Sequence, residues 1–483
     1  MKMSEQKRLH PIASVLNFLK QLKELIVPFL VFIFVGAKGT NWDYFYLIAS
    51  VGVVLFVLVT GVLSWLRFTY RMEDGELRIE YGVFIRNKRY IPFEKIQSLD
   101  LSEGILHRPF GLVKVKVETA GSSGTQEAEA VLSAITKLEA KEIEDTLMMQ
   151  KRSVLPENQL EREEYSYAAN LIYKITFKEL VLLSVTSGGV GVVISAVLAF
   201  IFQFDELIPY EKVFKSLKDL VASGFMLISM LVFLGLLLAW IASFIGTMLK
   251  YANFTVEKLE KDIIIKRGLL EKRQITIPLN RIQAVSISEN LIRQPLGYGT
   301  VFLESAGGSA TNMDSAKVML IPIMKKEAII EYLESLLPDY DFRASLKQVP
   351  ERALSRYQFK GLIVVVPIII LAIILSRPWG YFSLLLLPMV TLWQYLRYKA
   401  AAWDIKGKQL TLRYRDISKN TIVMKKNKIQ SLHVKESYFQ RKKDLITVQS
   451  IIKSGSGASG GSVIDIEKND GVEIYQWYSN SNQ

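Results

Sequence analysis

The sequence has 483 residues, no cysteine and only three histidines, His10, His107 and His433. Without cysteine, a disulfide framework, a thiolate zinc site, an iron–sulfur cluster and a cysteine nucleophile are all excluded. Three scattered histidines are also too few for a histidine-rich metal centre. The residues therefore favour a protein that is not an enzyme and that carries no cofactor and no metal.

Charge is missing from several long apolar runs, which argues against an ordinary soluble enzyme, because a membrane-spanning helix needs about 20 apolar residues. Three uncharged runs of 23, 25 and 29 residues meet that length: Tyr44–Leu66, Leu180–Phe204 and Val221–Leu249. Three shorter runs of 13, 16 and 19 residues also span if flanking basic side chains extend to the interface: Leu25–Ala37, Gly361–Ser376 and Pro378–Leu396. For the first of these, an interfacial or re-entrant helix is the alternative.

The six runs group into three helical hairpins that alternate with polar blocks. The predicted order is a basic amphipathic N-terminal segment (1–24), hairpin 1 (25–66), block 1 (67–150), a linker (151–179), hairpin 2 (180–249), block 2 (250–340), a linker (341–360), hairpin 3 (361–396) and block 3 (397–483).

Basic residues predict the orientation of these parts. The net charge is +13, with five basic and two acidic residues in segment 1–24 and five basic and one acidic in 343–360. The positive-inside rule then places both termini and all three blocks on the cytoplasmic side of a multi-pass protein of the cell membrane.

The N-terminal segment has apolar residues at helical spacing, namely Ile12, Val15, Leu16, Leu19 and Leu22. This spacing predicts a short amphipathic helix. Two positions for it remain open, because such a helix can lie on the inner leaflet or pack against the neighbouring polar block.

The three polar blocks are internal repeats. Residues 91–98 read IPFEKIQS, 277–284 read IPLNRIQA and 424–431 read MKKNKIQS, and blocks 1 and 2 keep a constant separation of 186 positions. Block 3 departs where the other two have Pro-x-Gly, since it has Lys442-Lys443-Asp444. The positions assigned a structural role in the repeat are Pro92, Ile96, Gln97, Pro109, Gly111, Pro278, Ile282, Gln283, Pro295, Gly297, Ile429 and Gln430.

Within a block, polar and apolar residues alternate, as in Glu76–Tyr81 and Val113–Glu118, which predicts half-buried strands. Each block then closes with a helical pattern, and in block 1 Ile135, Leu138, Ile143 and Leu147 are expected together on one side, facing the strands. The closing patterns lie at Thr136–Met149, Lys325–Leu337 and around Val472–Tyr478. Short antiparallel strands followed by one helix predict a small barrel or sandwich capped by that helix.

A membrane hairpin followed by strand-Gly-strand, Ile-Pro-x-x-Lys/Arg-Ile-Gln, a Pro-x-Gly turn and an Ala-Gly run resembles the bacterial pleckstrin-homology-like (PH-like) membrane proteins, in a form with three PH-like repeats. The resemblance implies a seven-stranded bent barrel with a C-terminal helix in each block. The expected fold class is thus a membrane α + β protein in which three transmembrane hairpins alternate with three PH-like domains. The resemblance also implies a role in resistance to membrane-active bacteriocins and a smaller paralogous PH-like partner.

Basic clusters are the candidate contacts for a partner or for anionic headgroups of the lipid bilayer. Block 3 with its flank, 397–483, carries 16 basic and eight acidic residues, or +8 of the total charge. A solvated cytoplasmic face is the alternative, and nucleic acid is not expected because aromatic residues do not interleave with the basic ones. The candidates are Arg86, Lys88, Arg89, Lys266, Arg267, Lys272, Arg273, Lys425, Lys426, Lys428, Arg441, Lys442 and Lys443.

Two functions follow from these features. The first is a non-enzymatic membrane protein whose cytoplasmic domains bind partners or inner-leaflet lipid. The alternative is a component of a membrane transporter in which the domains act as gating or regulatory modules. No charged residue lies inside the six apolar runs, which argues against a proton or ion pathway through them.

Overall fold

The computed structural model describes residues 6–19, 21–22, 43–83, 85–119, 130–153, 170–187, 225–259, 262–305, 317–375, 379–454 and 457–480. The predicted run Leu25–Ala37 and most of the run Leu180–Phe204 lie outside the described residues.

Each repeat forms a module of seven strands. Module 1 contains β1 (Lys7–Arg8), β2 (Thr69–Glu73), β3 (Glu76–Tyr81), β4 (Asn87–Pro92), β5 (Ile96–Glu103), β6 (Leu112–Thr119) and β7 (Ala130–Thr136). Module 2 contains β8 (Asn170–Lys174), β9 (Thr255–Leu259), β10 (Asp262–Arg267), β11 (Lys272–Pro278), β12 (Ile282–Glu289), β13 (Tyr298–Ser305) and β14 (Lys317–Lys325). Module 3 contains β15 (Lys347–Gln348), β16 (Ala402–Lys406), β17 (Gln409–Arg415), β18 (Lys419–Lys425), β19 (Ile429–Lys435), β20 (Leu445–Ser454) and β21 (Gly457–Glu467).

The α-helices of the described residues fall into two groups, those that close a module and those that belong to the hairpins. The helices that close a module are α2 (Lys137–Ser153), α5 (Lys326–Leu336) and α8 (Lys468–Ser479). The helices of the hairpin regions are α1 (Asp43–Arg67), α3 (Phe177–Thr186), α4 (Phe225–Tyr251), α6 (Leu354–Leu375) and α7 (Leu386–Ala400). Short helices lie at residues 12–19, Phe93–Lys95, Arg108–Phe110, Leu279–Arg281, Glu351–Ala353, Trp379–Leu385, Lys426–Lys428 and Tyr438–Arg441.

Leu138 corrects one detail of the predicted closing helix. It is 82% exposed, whereas Ile143 is buried. The two residues are five positions apart, and only residues three or four apart share a face of an α-helix. The prediction that both lie on the buried side was therefore wrong for Leu138.

Neighbouring modules share their sheets. One sheet has the order β7-β6-β5-β11-β10-β9-β8 and the next has β14-β13-β12-β18-β17-β16-β15. Strand β5 of module 1 thus pairs antiparallel with β11 of module 2, and β12 of module 2 pairs antiparallel with β18 of module 3. The end sheets are β1-β2-β3-β4 and β19-β20-β21. The repeats form one hydrogen-bonded series instead of separate domains.

Each module still has its own hydrophobic core between its four-stranded and three-stranded halves. In module 1, Leu77 of β3, Leu132 of β7 and Ile143 of α2 are almost fully buried in one cluster. Equivalent clusters fill modules 2 and 3, and each includes one side chain of its neighbour, Val423 and Ala284 respectively. Burial of these apolar side chains supplies the main drive for each module to fold.

The first strand of every module precedes its hairpin. Strand β1 lies in segment 1–24, β8 in the predicted linker 151–179 and β15 in the predicted linker 341–360, and each pairs with the second strand of its module. The regions predicted as hairpins therefore lie between strands one and two of each module, and the predicted linkers contain the first strands of modules 2 and 3. Strands of two to five residues are too short for an alternating pattern to reveal them.

Two helices of the described residues are long and apolar enough to cross a membrane, at Leu234–Tyr251 and Glu351–Leu375, and a shorter apolar helix covers Val51–Arg67. Their apolar side chains are largely exposed, which suits a lipid environment and not water. Helices α6 and α7 pack together. A side chain at Gly361 of α6 would collide with Gln394 and Val390 of α7, so this glycine permits the close approach. The three predicted hairpins are not all traced by the described residues.

The N-terminal helix, residues 12–19, packs against module 1. Leu9 and Ala13 are buried in its core and Ile12 and Leu16 pack against it. The Trp65 indole donates a hydrogen bond to the Leu9 carbonyl at 2.8 Å. Among the two predicted positions, contact with the polar block is the one that these side chains make.

Candidate functional site

The joint between modules 1 and 2 is held by an ion pair across β5 and β11. The Arg273 guanidinium donates from Nη2 to Asp100 Oδ2 at 2.6 Å and from Nε to both carboxylate oxygens at 3.2 Å. Asp100 is buried, and Lys272 lies directly opposite Glu103 in the register. A charge-assisted, multiply bonded pair of this kind fixes the orientation of both partners.

A cavity of about 610 Å³ lies beside this joint. All four candidates of block 2, Lys266, Arg267, Lys272 and Arg273, line it. Three acidic residues of module 1 line the same cavity, namely Glu103, Glu144 and Asp145. Burial raises the pKa of Glu144, and the neighbouring Asp145 raises it further.

The charge around this cavity is therefore mixed, and the basic groups have partners. Lys266 donates to Glu257 Oε2 at 2.8 Å, and the Arg267 guanidinium lies 5.4 Å from the centre of the Tyr251 ring. Arg273 and Lys272 therefore belong to the joint between modules, whereas Lys266 and Arg267 contact groups next to them in module 2 and its preceding helix.

The joint between modules 2 and 3 uses the same register with different side chains. Lys419 of β18 lies opposite Glu289 of β12, with Nζ 3.0 Å from Oε1. Burial lowers the pKa of Lys419, while Glu289 opposes that shift. Lys428 also crosses this joint, because its Nζ donates to the Asn280 carbonyl at 2.8 Å.

The other two lysines of that cluster, Lys425 and Lys426, also have partners within the same chain. Lys425 contacts Asp339 at 3.2 Å and lies over the Tyr340 ring. Lys426 donates to the Asn480 carbonyl and lies over the Trp477 ring. The three lysines do not form one open basic patch.

The remaining candidates also have intramolecular contacts. Arg86 and Lys88 both pair with the Glu80 carboxylate, and the Lys88 Nζ lies 3.8 Å from Oε1. The Arg89 guanidinium lies over the Tyr81 ring.

In module 3, Arg441 lies 3.5 Å from Glu436 and Lys442 lies over the Tyr438 ring. Lys443 donates to Ser355 Oγ at 2.6 Å, beside the start of α6. These basic residues are adjacent in the sequence, but the sequence does not identify their partners.

A glutamate–lysine pair recurs in all three modules and was missed in the sequence. In each module a glutamate at the end of the fifth strand, or directly after it, pairs with the lysine that begins the closing helix. These glutamates are Glu103, Glu289 and Glu436. The distances are 2.8 Å to Lys137, 3.8 Å to Lys326 and 3.1 Å to Lys468. The constant offset of the glutamate from the Ile-Gln pair was the available signal.

The repeat-structural positions adopt equivalent conformations. Gly111 and Gly297 have φ of 63° and 73°, in the left-handed region that favours glycine. Block 3 has Asp444 there, with φ of 50°, so its departure in sequence does not change the turn.

Other repeat-structural residues lie in the same short elements of each module. Pro92 and Pro278 precede equivalent short helices, Pro109 and Pro295 precede the left-handed glycines, and Ile96, Ile282 and Ile429 are buried. The Gln283 amide donates to the Arg281 carbonyl at 3.0 Å, whereas Gln430 is exposed. The Gln97 side chain lies outside the described residues.

A second cavity, of about 430 Å³, lies where module 3 meets the ends of α6 and α7. Its lining includes Tyr357 of α6, Arg397 of α7, Arg415 at the end of β17, the following Asp416, and residues 459–462 of β21. The sequence does not single out Arg397 or Arg415 as site residues, because neither belongs to one of the candidate basic clusters.

Arg415 is a buried cation with unused hydrogen-bonding capacity. Its Nη2 donates to Gln294, whereas Nε and Nη1 have no hydrogen-bond partner. Burial lowers the pKa of this guanidinium, although Glu289 opposes that shift. A buried donor without a partner is costly, and an anion is the chemistry that would satisfy it.

Asp465 ties module 3 to the foot of α6. Its carboxylate is fully buried and accepts from Arg356 Nε at 3.0 Å, Lys360 Nζ at 3.2 Å and Gln440 Nε2 at 2.7 Å. Both basic residues belong to the flank 343–360 that predicted the orientation. They therefore bind the module as well as flank the membrane helix.

The described residues contain one segment with the spacing of a catalytic serine motif. Residues 457–461 read GASGG, which has Gly-x-Ser-x-Gly spacing, but they lie within β21 and not at a strand-to-helix turn. No group of three or more His, Asp or Glu residues suited to a metal ion occurs in the described part of the chain.

Comparison with known proteins agrees with the repeat. The family model described as "Bacterial PH domain" matches residues 18–151, 193–337 and 355–482. The chain is 40% identical over 490 residues to UPF0699 transmembrane protein YdbT of Bacillus subtilis (strain 168), covering 99% of each chain. It is 25% identical over 109 residues to UPF0699 transmembrane protein YdbS of the same organism, covering 21% of this chain and 64% of YdbS. No solved structure matches. Three matches that each cover one repeat show that the chain belongs to the bacterial PH domain family.

Proposed function

We propose that the protein is a non-enzymatic, multi-pass protein of the cell membrane whose three PH-like modules form a continuous cytoplasmic scaffold that binds partners or inner-leaflet lipid. The observation that supports a scaffold is the sharing of sheets by neighbouring modules. The basic residues at both joints hold the modules together, so the series acts as a single body tied to its membrane helices.

The lipid-binding part of the proposal concerns the cavity at the foot of α6 and α7. Arg397 lies in the last turn of α7 and Arg415 is buried beside it, so a phosphate-bearing headgroup that enters the cavity meets two guanidinium groups. Asp416 lines the same cavity and opposes an anion. The buried, unpartnered nitrogens of Arg415 favour the anion.

Native mass spectrometry of the full-length protein tests this part of the proposal. After exchange into mixed phosphatidylglycerol and phosphatidylcholine, the wild type is expected to retain phosphatidylglycerol preferentially. Replacement Arg415→Gln is expected to lower that preference about tenfold, because a charge-assisted hydrogen bond is worth about 1.5–3 kcal/mol. The matched control Arg343→Gln removes an exposed cation that is not a candidate headgroup contact and is expected to leave the preference unchanged.

Equal retention of the two lipids by the wild type would refute the headgroup site. Solute flux through reconstituted wild-type protein would instead support the transport alternative.

The partner part of the proposal rests on the similarity to YdbS, a shorter transmembrane protein. We expect a smaller PH-like paralogue to copurify with the full chain from membranes, and both to contribute to resistance against membrane-active peptides or bacteriocins. Deletion of either gene is then expected to lower the inhibitory concentration of such peptides. Unchanged sensitivity across a panel of peptides would exclude the resistance role.

A further inference from the structure

Two strand edges at opposite ends of the module series have no neighbour among the described strands. Strand β4 is the last strand of the sheet β1-β2-β3-β4, and β19 is the first of the sheet β19-β20-β21. In modules 2 and 3 the strand equivalent to β4 lies inside a sheet, because β11 pairs with β5 and β18 pairs with β12. An exposed edge presents unpaired backbone donors and acceptors that can pair with another strand.

The two free edges are the two halves of a contact that the chain already makes twice. At each joint the fourth strand of one module pairs antiparallel with the fifth strand of the module before it. The register is the same both times, since Lys272 lies opposite Glu103 and Lys419 lies opposite Glu289. Strand β4 is a fourth strand without a preceding module, and β19 is a fifth strand without a following one.

Side chains on the free edges are exposed where their equivalents are buried. Tyr90 of β4 is 54% exposed, whereas its equivalent in β18, Val423, is 2% exposed. On β19, His433 is exposed, whereas its equivalents Asp100 and Ser286 are buried. The difference arises from the missing neighbouring strand and marks both edges as surfaces of the same kind as the internal joints.

Charge at the free edges follows the same rule as at the joints. If β4 pairs with β19 in the register of the internal joints, Arg86 lies opposite Glu436. This pair is equivalent to Lys272–Glu103 at the first joint and to Lys419–Glu289 at the second. It also places Lys88 opposite Val434, and Tyr90 opposite Leu432. Opposite charges directly across an antiparallel pair are stabilising, so this register is the favoured one. Arg89 falls opposite His433, but its guanidinium already lies over the Tyr81 ring of its own sheet.

The geometry points to head-to-tail association of this chain with a second copy of itself, through pairing of β4 of one copy with β19 of the next. A second copy is the occupant favoured here, because both complementary edges belong to the same sequence and repeat an existing interface. Such a contact is heterologous, so it extends the shared sheets from chain to chain and produces a closed ring or an open row. This inference does not depend on which ligand the modules bind.

The absence of cysteine allows a direct test in membranes. The double variant Lys88→Cys/Val434→Cys, expressed with two different affinity tags in one cell, is expected to form disulfides between copies upon mild oxidation. Directly opposed residues bring Cα atoms to about 4.5–5.5 Å, which is within the disulfide range. Adducts that carry both tags, at twice the single-chain mass and above, are the expected result.

The matched control is Lys88→Cys/Gln430→Cys. Gln430 is exposed and lies on the same strand, β19, about 13 Å from Val434. Because Gln430 does not lie opposite Lys88 in the proposed register, this control is expected to give at least about tenfold less adduct. A second in-register pair, Tyr90→Cys/Leu432→Cys, gives an independent measurement if the first variant does not fold.

Charge reversal tests the register itself. Arg86→Glu in the crosslinking variant is expected to reduce the mixed-tag adduct, and Arg86→Glu together with Glu436→Arg is expected to restore it. Equal crosslinking of the in-register and out-of-register pairs would overturn the inference. Disulfides formed only within one chain, or mixed-tag adducts that require coexpression of a YdbS-like protein, would overturn it as well.

Discussion

At the scale of single residues, Asp465 carries the connection between module 3 and the membrane helices. Its carboxylate is fully buried and is balanced by Arg356, Lys360 and Gln440. A buried ion pair is not itself strong support for stability, since desolvation offsets the attraction. Removal of the Asp465 charge is more costly, because the largely buried Arg356 guanidinium then has no opposing charge.

Replacement Asp465→Asn is therefore expected to lower the free energy of unfolding by about 3–5 kcal/mol. Denaturant unfolding of the detergent-solubilised full-length protein, followed by tryptophan fluorescence, measures this loss. The control is Glu334→Gln, which breaks the exposed pair with Arg343 and is expected to cost less than about 1 kcal/mol. Similar losses in the two variants would show that Asp465 is not the anchor.

Asp444 shows at the same scale how a repeat can diverge in sequence and keep its conformation. It takes the left-handed position that Gly111 and Gly297 hold in the other modules. Asp tolerates this conformation better than most residues, because its short polar side chain can bond locally. The carbonyl of each of the three residues accepts from the first backbone N–H of the closing helix, at 3.3, 2.9 and 3.0 Å in modules 1, 2 and 3.

At the scale of secondary-structure elements, the strand pairs β5·β11 and β12·β18 decide how the repeats are joined. Backbone hydrogen bonds supply a contact that any two strands could make, so the side chains must provide the specificity. At the first joint that role belongs to Arg273 and Asp100, and at the second to Lys419 and Glu289.

A double-mutant cycle on the first joint measures this contribution. The single variants Arg273→Gln and Asp100→Asn are each expected to destabilise the protein, whereas the double variant is expected to lose less than their sum, with an interaction energy of about 2 kcal/mol. Unfolding in denaturant gives the four free energies. The comparison pair is Lys266 and Glu257, which lies within module 2 with an exposed lysine and is expected to couple by less than about 1 kcal/mol. Additive effects for Arg273 and Asp100 would show that the pair does not hold the joint.

At the scale of the whole molecule, the shared sheets require that all three modules lie on the same side of the membrane. Strand pairing leaves no lipid bilayer between neighbouring modules, so a module on the opposite side would have to break a joint. In our proposal this side is the cytoplasmic one, because basic residues are in excess in 1–24 and 343–360.

Single cysteines introduced into the cysteine-free chain are expected to report this orientation. Glu94→Cys, Glu271→Cys and Lys453→Cys place exposed thiols in modules 1, 2 and 3. On intact cells they are expected to resist an impermeant maleimide and to react only after the membrane is opened. Lys212→Cys, in the predicted loop of hairpin 2, is expected to react on intact cells. A module thiol that reacts before permeabilisation would contradict the shared orientation.

The isolated span 397–483 illustrates a limit of sequence-based domain boundaries. It contains β16 to β21 but excludes β15, and it separates β18 from its partner β12. In that span alone, the edge of β18 that pairs with β12 in the full chain would be exposed. Binding experiments on it would therefore include a surface that the full chain covers. The full chain is therefore the appropriate material for every measurement described above.

Much of the architecture follows from the sequence alone. The apolar runs, the constant separation between blocks 1 and 2, the alternation in the strands and the closing helices are local patterns, and local patterns reflect secondary structure and burial directly. The family follows from the same residues. The basic clusters are visible as well, but a charge in a sequence carries no information about its partner.

Only the tertiary structure decided how the parts are combined. The pairing of β5 with β11 and of β12 with β18 joins residues 130 or more positions apart through backbone groups, so no local pattern encodes it. The position of the predicted hairpins after the first strand depends on strands as short as Lys7–Arg8. The cavity beside Arg415 is formed by residues of α6, α7, β17, β20 and β21 and of the turns next to them. These features arise from long-range packing, whose free energy is shared among many contacts and is therefore not readable from any one stretch of sequence.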